Sequence, residues 1–411
     1  ILTIEREVRI LKRLISILLT VAMLLTAFPL STVFAADEID KWDGIAVASS
    51  FDGGSGTEDD PYLISSCAQL ALLRNIVNES DANYASNYAA TYGAAQSGSA
   101  VSGSTLTHKR LSGKHFMLTT DLDFDGKNFG KGIGNSTGIA QTFTFAGSFD
   151  GGGHIIRNYY TSYAWDLRAM GLFGITEDAS IANLGMENAK IEVANGSAVF
   201  GYAVLVGKAY GSLKLSNCYV RNSEVEFTLG MSADAEMGLG ILTGSIGYDR
   251  DNAVGHEINN CYAVNNIMTY SGEENPRLFK KAAVFGKTAP YGIVVSNCYA
   301  SGLNFTNMTA SSYSNRTNNL FTPYISGTTA CSSDGKNCFV EGNPSAYEVD
   351  YLKKGETFSA VTADELKALP PALNSDGAYE TAYSDVLNSG YPILKWEYER
   401  MGAPYTVSAL H

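Results

Sequence analysis

The chain has 411 residues, of which 41 are Gly, 24 are Tyr and only 10 are Pro, and 17% are charged. Its 29 basic and 42 acidic residues give a net charge of −13 at pH 7. A surface this acidic repels phosphate groups, which argues against nucleic acid or anionic lipid as a partner. A hydrophobic content of 45% is enough to build a core and excludes general disorder.

The first 35 residues have the order of a secretory signal peptide. A basic start leads into an apolar run over residues 14–30, followed by small residues at Val33 and Ala35. This order predicts export, with cleavage after Ala35. The alternative is a retained membrane anchor, for which a run of about seventeen apolar residues is close to the lower limit. No second long apolar run follows, so we expect a secreted or surface-displayed protein with no membrane span after cleavage.

A short motif recurs in the middle of the chain with a period near 40 residues. It consists of Asn, Cys, an aromatic residue and a small residue, with the Asn at positions 217, 260, 297 and 337. Even spacing of this kind is typical of solenoid repeats. The copies are Asn217-Cys218-Tyr219-Val220, Asn260-Cys261-Tyr262-Ala263, Asn297-Cys298-Tyr299-Ala300 and the weaker Asn337-Cys338-Phe339-Val340.

A second apolar element that ends in Gly precedes the Asn-Cys motif. Each unit therefore holds two apolar runs that are too short for helices. The pattern predicts an all-β fold, a right-handed parallel β-helix in which a unit of 40 residues makes about two coils. The elements are Gly171-Leu172-Phe173-Gly174, Val204-Leu205-Val206-Gly207, Ile241-Leu242-Thr243-Gly244 and Ala283-Val284-Phe285-Gly286.

The phase of the Asn-Cys motif predicts a corner in the coil. Leu215 and Cys218 are three positions apart, so both can face the core only if the chain bends at Ser216-Asn217. Asn tolerates the left-handed conformation that a sharp bend needs. Stacked Asn amides can also bond to those of neighbouring coils. We therefore expect the four Asn residues to form a ladder at a corner.

In this arrangement the four Cys residues of the motif line the interior. A buried thiol acts as a small hydrophobe, although exported proteins usually oxidise their cysteines to disulfides. With two coils per unit, equivalent cysteines would lie roughly 9–10 Å apart, beyond disulfide reach. The sequence thus favours reduced thiols at Cys218, Cys261, Cys298 and Cys338. A bond between Cys331 and Cys338 stays open, and Cys67 has no obvious partner.

The Gly171-Leu172-Phe173-Gly174 element and its copies resemble the GLUG motif, named for Gly-Leu-hydrophobic-Gly. That repeat occurs in bacterial cell-surface proteins, including adhesins and some surface peptidases, where it builds or flanks β-helical regions. The stretches 42–64, 116–123, 149–156 and 390–396 are similar to the first and last parts of such domains. The resemblance implies a β-helix over residues 42–396 and says little about activity.

The rest of the chain reads as caps and connections. Apolar residues at Leu70, Leu73, Ile76 and Val77 predict a short amphipathic helix over 67–79 that covers the N-terminal edge. Residues 81–113 read as a long Ala-, Ser-, Gly- and Tyr-rich loop. A helix over 363–369 and a strand ending at Trp396 would close the C-terminal end. The predicted parts are the signal peptide (1–35), the N-terminal segment (36–115), the β-helix repeats (116–345) and the C-terminal cap (346–411).

Motifs for catalysis and cofactors are weak. Asp121, Asp123 and Asp125 imitate the start of a calcium loop, but its twelfth position is Gly132 instead of Glu. No zinc-peptidase, nucleophile-elbow or phosphate-loop motif is present, so no cofactor is predicted. Five carboxylates between residues 249 and 274 keep a polysaccharide lyase or glycoside hydrolase open as an alternative, because catalytic groups can converge from separate coils.

The aromatic position of the motif provides the candidate ligand site. If the Cys residues point inward, the neighbouring rings point outward and form a ladder along one face. Exposed rings with polar tips suit contact with sugars or a protein, although the pattern favours the alternative of a ladder packed beneath outer loops, where it stabilises the solenoid. We expect a secreted or cell-surface bacterial module for adhesion or ligand binding, with a glycan or host protein as partner; a purely structural spacer is a further possibility. The candidate residues are Tyr219, Tyr262, Tyr299 and Phe339.

Overall fold

The computed structural model describes residues 39, 41–102, 105–137, 141–163, 169–193, 201–227, 238–246, 255–271, 282–288, 293–306, 334–341 and 358–401. The predicted signal peptide and Cys331 lie outside the described residues. Helices are α1 (Cys67–Asn78), α2 (Asp81–Asn87), α3 (Ala89–Tyr92), α4 (Ala363–Lys367), α5 (Ser384–Leu387) and α6 (Lys395–Arg400).

Short strands dominate the described chain. They are β1 (Tyr62–Ile64), β2 (Gln96–Ser102), β3 (Thr105–Arg110), β4 (His115–Leu118), β5 (Leu122–Asp123), β6 (Asn135–Thr137), β7 (Gln141–Phe145), β8 (Ser148–Arg157), β9 (Tyr160–Tyr163), β10 (Ala169–Met170), β11 (Phe173–Glu187), β12 (Lys190–Val193), β13 (Gly201–Tyr202), β14 (Val206–Ser216), β15 (Tyr219–Arg221), β16 (Glu224–Phe227), β17 (Gly238–Ile246), β18 (His256–Asn259), β19 (Tyr262–Val264), β20 (Ile267–Tyr270), β21 (Ala282–Thr288), β22 (Ile293–Ser296), β23 (Tyr299–Ser301), β24 (Asn304–Thr306), β25 (Asp334–Lys336), β26 (Cys338–Glu341), β27 (Phe358–Val361), β28 (Tyr379–Glu380) and β29 (Ile393–Leu394).

The strands stack in parallel and form a β-helix, which confirms the predicted fold class. The register joins Tyr219 directly to Tyr262, Tyr262 to Tyr299, and Tyr299 to Phe339. One unit of about 40 residues therefore makes one coil, and the prediction of two coils per unit was wrong. The reason is that a single turn passes through several strand segments, as in β13, β14, β15 and β16, and this consumes the whole repeat.

The Asn-Cys motif forms the predicted corner. Asn217, Asn260, Asn297 and Asn337 have φ values between 51° and 56°, in the left-handed region, and Asn183 joins them on an earlier coil with φ 53°. The side-chain amide of Asn217 donates to Oδ1 of Asn183 at 3.1 Å, and that of Asn337 donates to Oδ1 of Asn297 at 3.1 Å. The corner is confirmed at all four positions and the ladder in part, because the Asn260 amide donates to Asp376 at 3.0 Å instead of to a neighbouring Asn. We call these five residues the Asn-Cys corner.

The thiols that follow this corner lie in the core, as predicted. Cys218, Cys261, Cys298 and Cys338 are fully buried reduced thiols, and so is Cys67. Equivalent cysteines sit on adjacent coils, about 4.8 Å apart along the stack, so the 9–10 Å separation was wrong. The Cys218 and Cys261 thiols each donate to the carbonyl two residues earlier, at 3.2 Å. Burial raises the pKa of Cys218 and Cys298, which favours the neutral thiol.

The Gly-ending elements stack as well. Phe173 pairs with Val206, Val206 with Thr243, and Thr243 with Phe285. A methyl group at Gly174 would lie 2.3 Å from the carbonyl oxygen of Gly134. Glycine is therefore required because another strand's backbone passes where a side chain would be.

The N-terminal region is more structured than predicted. Helix α1 confirms the expected helix: Ser66 caps its N-terminus, and Leu70, Leu73 and Ile76 are buried in the core. Residues 81–113 were expected to form a loop, yet they contain α2, α3, β2 and β3. Strand β3 pairs in parallel with β7. Low periodicity hid these elements because the helices are short and their Tyr-rich faces are only partly buried.

The C-terminal region adds strand β27 in parallel to β26, at the end of the described coils, and then turns back along them. Residues 362–401, which we call the strap, run back along the side of the solenoid. Tyr379 donates to the carbonyl of Asn297 at 2.8 Å, Trp396 to that of Asn217 at 3.0 Å, and Arg400 to that of Gly153 at 2.8 Å. Helix α4 confirms the helix expected over 363–369. The strand expected up to Trp396 is present as β29, but it ends at Leu394 because α6 begins at Lys395.

Candidate binding face

The predicted aromatic ladder exists, but it is not on the surface. The ring centroids of Tyr219 and Tyr262 are 4.9 Å apart with 7° between planes, and those of Tyr262 and Tyr299 are 5.0 Å apart with 11°. All three tyrosines are 0% exposed and Phe339 is 8% exposed. The prediction of an exposed ligand face was therefore wrong for these residues.

The strap is what buries the ladder. Trp396 stacks on Tyr219 at 5.6 Å, and Tyr379 packs edge-on against Tyr299 at 5.7 Å. These contacts form a second apolar cluster outside the coil, separate from the core that holds the thiols. A ligand cannot reach the ladder while the strap is docked, and the ladder stabilises the solenoid instead.

A buried ion-pair network fastens the strap. Arg221 contacts Glu187 at 2.6 Å and Glu397 of the strap at 2.8 Å. The Tyr262 hydroxyl donates to Glu397 at 2.8 Å. Burial raises the pKa of Glu397 to about 7, against the opposing effect of Arg221. The Glu397 carboxyl is thus a structural anchor with 3% exposure.

The three aspartates of the imitated calcium loop do not converge. Asp121 pairs with Arg157 at 2.7 Å and with Arg400 of the strap at 2.8 Å. Asp123 accepts a hydrogen bond from the amide of Asn158, and Asp125 pairs with Lys41 at 3.1 Å. Over the described ranges, no group of three or more acidic, His or Cys side chains is placed to hold a metal ion.

An exposed polar face lies elsewhere, on the five-stranded sheet of β9, β12, β16, β20 and β24. Alternation sends Ile191, Val225 and Met268 into the core and turns their neighbours outward. We call the outward side chains the polar face. They form two in-register rows: Tyr160, Lys190, Glu224, Ile267 and Asn304, and Ser162, Glu192, Glu226, Thr269 and Thr306.

Hydrogen bonds and ion pairs order this face. The Tyr160 hydroxyl donates to Glu192 at 2.7 Å, and Lys190 contacts Glu226 at 2.6 Å. The hydrogen bond from Lys190 lowers the pKa of Glu226, and the same bond raises the pKa of Lys190. Burial raises the pKa of Tyr160. The face is thus a set of fixed polar groups in which the Tyr160 ring is partly exposed.

An open groove of about 590 Å³ begins at one end of the polar face. It offers side-chain amides, carboxylates, one ammonium group and the partly exposed ring of Tyr160 within a single concavity, whereas the Tyr159 side chain is fully buried. Such a mixture can hydrogen-bond in both directions to a polar ligand and can stack on its apolar side. The lining residues are Asp125, Gly126, Asn158, Tyr159, Tyr160, Asn188, Lys190 and Glu192.

A second column of Asn residues borders this groove. Asn158, Asn188, Asn222 and Asn265 have φ values of 53° or 54°, and Gly302 continues the column with φ 62°. We call the four Asn residues the groove corner. This column was not predicted, although the sequence holds a signal for it: Asn188, Asn222 and Asn265 each lie five residues after an Asn of the Asn-Cys corner.

The arrangement of carboxylates bears on the enzyme alternative. Glu192, Glu224 and Glu226 share the polar face, but the carboxyl with a pKa raised to about 7 is Glu397, which belongs to the strap. Of the five carboxylates between 249 and 274, the structure describes Glu257, which is exposed and lies 3.7 Å from Lys214. A general acid needs a raised pKa at the substrate. In the described residues, the polar face holds no carboxyl that has both a raised pKa and a position where a substrate would bind.

Comparison with known proteins supports the fold and little more. No family model matches the chain. A curated protein of Evansella cellulosilytica named "Putative Gly-rich membrane protein" is 27% identical over 169 residues, which are 41% of this chain and 15% of that protein. The crystal structure of "a putative immunoglobulin A1 protease from Bacteroides ovatus" superposes with a TM-score of 0.50 at 17% identity, covering 85% of this chain and 98% of that one. This second likeness is one of fold.

The helices described here are short. The longest, α1, has 12 residues, and none in the described part of the chain has both the length and the apolar character of a membrane span.

Proposed function

We propose that this protein is a secreted or surface-displayed bacterial β-helix that binds a glycan through the groove and the polar face. The observation that supports it most is the groove, where Tyr160, Asn158, Asn188, Asp125 and Glu192 meet in one open concavity. Planar amides and carboxylates form paired hydrogen bonds with vicinal hydroxyl groups, and a tyrosine ring stacks on the apolar side of a sugar.

The chemistry of the face favours a glycan over a protein partner. Protein interfaces rely on a central cluster of apolar and aromatic residues that become fully dry. The polar face has one exposed large apolar side chain, Ile267 at 39% exposure, among charged and amide groups. A ligand that is itself covered with hydroxyl groups satisfies such a surface better.

Charge restricts the kind of glycan. Lys190 is the single cation among the residues of the two rows, and Glu192, Glu224 and Glu226 surround it. The whole chain carries a net charge of −13. Uronate and sulfate groups would be repelled, so we propose a neutral glycan.

The location at the cell surface is part of the proposal. It rests on the signal-peptide pattern of residues 1–35 and on the resemblance of the Gly-ending elements to the GLUG repeat of bacterial surface proteins. The name of the Evansella cellulosilytica relative, which places that protein in a membrane, is compatible with surface attachment of a longer chain.

A glycan array with the mature chain tests the proposal, together with a reducing-sugar release assay on the same glycans. We expect binding to neutral glycans without turnover, and loss of binding in Tyr160→Ala and Glu192→Gln. A matched control is Glu257→Gln, which removes an exposed carboxylate from another sheet. Release of reducing sugar would instead establish the carbohydrate-active enzyme, and failure to bind any neutral glycan would refute the proposal.

A further inference from the structure

The two columns of Asn residues share one backbone conformation but use their amides differently. In the Asn-Cys corner, the amides bond within the protein: Asn183 to Asp150 at 3.0 Å, Asn217 to Asn183 at 3.1 Å, and Asn260 to Asp376 of the strap at 3.0 Å. These side chains are partly or fully buried. Their polar atoms hydrogen-bond to neighbouring coils and to the strap.

In the groove corner, most side-chain amides are not hydrogen-bonded to other described residues. Asn188, Asn222 and Asn265 are exposed on successive coils. In the described part of the chain, the side chains of Asn188 and Asn222 make no hydrogen bond to the protein. Asn158, at the start of the column, donates to Asp123 at 2.8 Å. A row of amide donors and acceptors is therefore open to solvent.

This row continues the groove. Asn158 and Asn188 line the groove itself, and Asn222 and Asn265 follow along the axis of the solenoid. Beside them runs the in-register row of Lys190, Glu224 and Ile267 on the polar face. The strands place successive members about 4.8 Å apart. The result is a straight track of equivalent polar positions, one for each coil.

We propose that the ligand is a linear, neutral, β-linked polysaccharide that lies along the solenoid axis, with about one sugar over each coil from Asn158 to Asn265. The inference rests on the proposed glycan-binding function. An extended β-linked chain advances by close to one strand spacing per sugar, so its repeat stays in phase with the coils. Each free amide then meets a hydroxyl group at the same point of successive sugars.

The register has a measurable consequence in chain length. A disaccharide fills the groove and reaches at most the first two Asn residues. Each further sugar meets another free amide, and one net hydrogen bond corresponds to about a 5-fold gain in affinity. We therefore expect affinity to rise from the disaccharide to the tetrasaccharide and then to level off where the column reaches Gly302.

The test removes the amides while keeping the backbone. Glycine adopts φ near 53° without strain, so Asn→Gly at positions 188, 222 and 265 deletes the side chains and preserves the corner. Calorimetric titration with cello- and chito-oligosaccharides of two to six sugars compares the triple variant with the unmodified chain. We expect at least a 10-fold loss of hexasaccharide affinity and a loss of at most 5-fold for the disaccharide.

Two outcomes would contradict the inference, and they are distinguishable. If the triple variant binds the hexasaccharide as the unmodified chain does, while Tyr160→Ala does not bind, the ligand stays in the groove and only the axial track is refuted. If the unmodified chain binds none of these oligosaccharides, the proposed function fails first. Should the triple variant fold poorly by circular dichroism, the single change Asn222→Gly, with an expected loss of about 5-fold for the hexasaccharide alone, provides the same comparison.

Discussion

The two Asn corners of each coil begin from the same local requirement and end in different environments. Both place Asn in the left-handed region, with φ between 51° and 56°, and both repeat once per coil. The Asn-Cys corner lies beneath the strap, and its side-chain amides hydrogen-bond to other residues of the protein. The groove corner faces solvent, and the side-chain amides of Asn188 and Asn222 make no hydrogen bond within the part of the chain that the structure describes.

The same residue type in the same bend can therefore serve the turn alone, as in the Asn-Cys corner, or also be open to the proposed ligand, as in the groove corner. Asn is chosen at both corners because its side chain tolerates the left-handed bend. What its amide then does depends on what lies above it. The strap covers one corner and leaves the other exposed to solvent, so the strap decides which column is open to the proposed ligand.

The largest expected effect comes from loosening the strap. Arg221→Met leaves the Glu397 carboxyl buried without its cationic partner, which costs about 3–5 kcal/mol of unfolding free energy. Urea unfolding followed by Trp fluorescence measures this loss. The matched variant Lys214→Met removes an exposed cation and should change stability by less than about 1 kcal/mol. Equal stability of the two variants would show that the strap does not depend on the buried pair.

The pH dependence separates the strap from the core. Burial lowers the pKa of His256, an interior residue, from 6.5 to about 4. Its unfolded form therefore binds the proton first, and stability falls by about 3 kcal/mol as pH drops from 6.5 to 4. Glu397 acts in the opposite sense: its pKa rises from 4.5 to about 7, so its stabilisation is present below pH 4.5 and is lost as pH rises through 7.

These opposed effects are visible in single variants. Relative to the unmodified chain, we expect the unfolding free energy of His256→Gln to rise as pH falls from 7 to 4.5. That of Glu397→Gln should fall relative to the unmodified chain over the same interval. Urea midpoints at half-unit steps of pH give both slopes. Slopes of the same sign in the two variants would contradict the assignment of one group to the core and the other to the strap.

An intermediate effect is expected from the bend itself. Asn217→Ala introduces a residue that is strained at φ 51° and removes an amide of the ladder. The left-handed penalty is about 1–2 kcal/mol, and Asn escapes part of it, so we expect a total loss of about 2 kcal/mol. Asn222→Ala should lose only the backbone part, about 1 kcal/mol. Chemical denaturation of both variants measures the two losses of unfolding free energy. A larger loss for Asn222→Ala than for Asn217→Ala would contradict the prediction.

The smallest expected change in stability comes from Asn→Gly substitutions, which isolate the contribution of the side-chain amide at each corner. Glycine relieves the bend at either corner, so only the loss of the amide remains. Asn217→Gly should cost about 1 kcal/mol for its hydrogen bond, whereas Asn222→Gly should cost close to zero. Thermal melts of the two variants, side by side, report the difference. Equal melting temperatures would mean that the amides of the Asn-Cys corner contribute nothing.

Much of the fold could be predicted from repeats. The Asn-Cys motif predicted the parallel β-helix, the left-handed corner, the amide ladder and the buried thiols, because each depends on the alternation of strands and on the conformational range of Asn. The number of coils per unit was wrong because the repeat length does not reveal how many strands one turn contains. Residues 81–113 escaped prediction because their short elements have no clear period.

The candidate site was predicted less well. Tyr219 was correctly placed outside the coil, since it neighbours an inward Cys218, but its exposure depended on Trp396 of the strap, 177 residues further along the chain. Nothing local to a tyrosine indicates whether a distant helix covers it. The groove and its Asn column were missed for the same reason: their residues come from different coils.

What the sequence by itself determined is therefore the local geometry: strands at a fixed period, Asn at the bends, Gly where backbones meet, and alternate side chains turned in and out. These features follow from short-range sterics and hydrogen bonding. Only the tertiary structure decided that Trp396 and Glu397 would cover the aromatic ladder, and that Asn188 and Asn222 would stay open beside a groove. Burial depends on which distant segment packs against a surface, and the residues of that surface do not encode it.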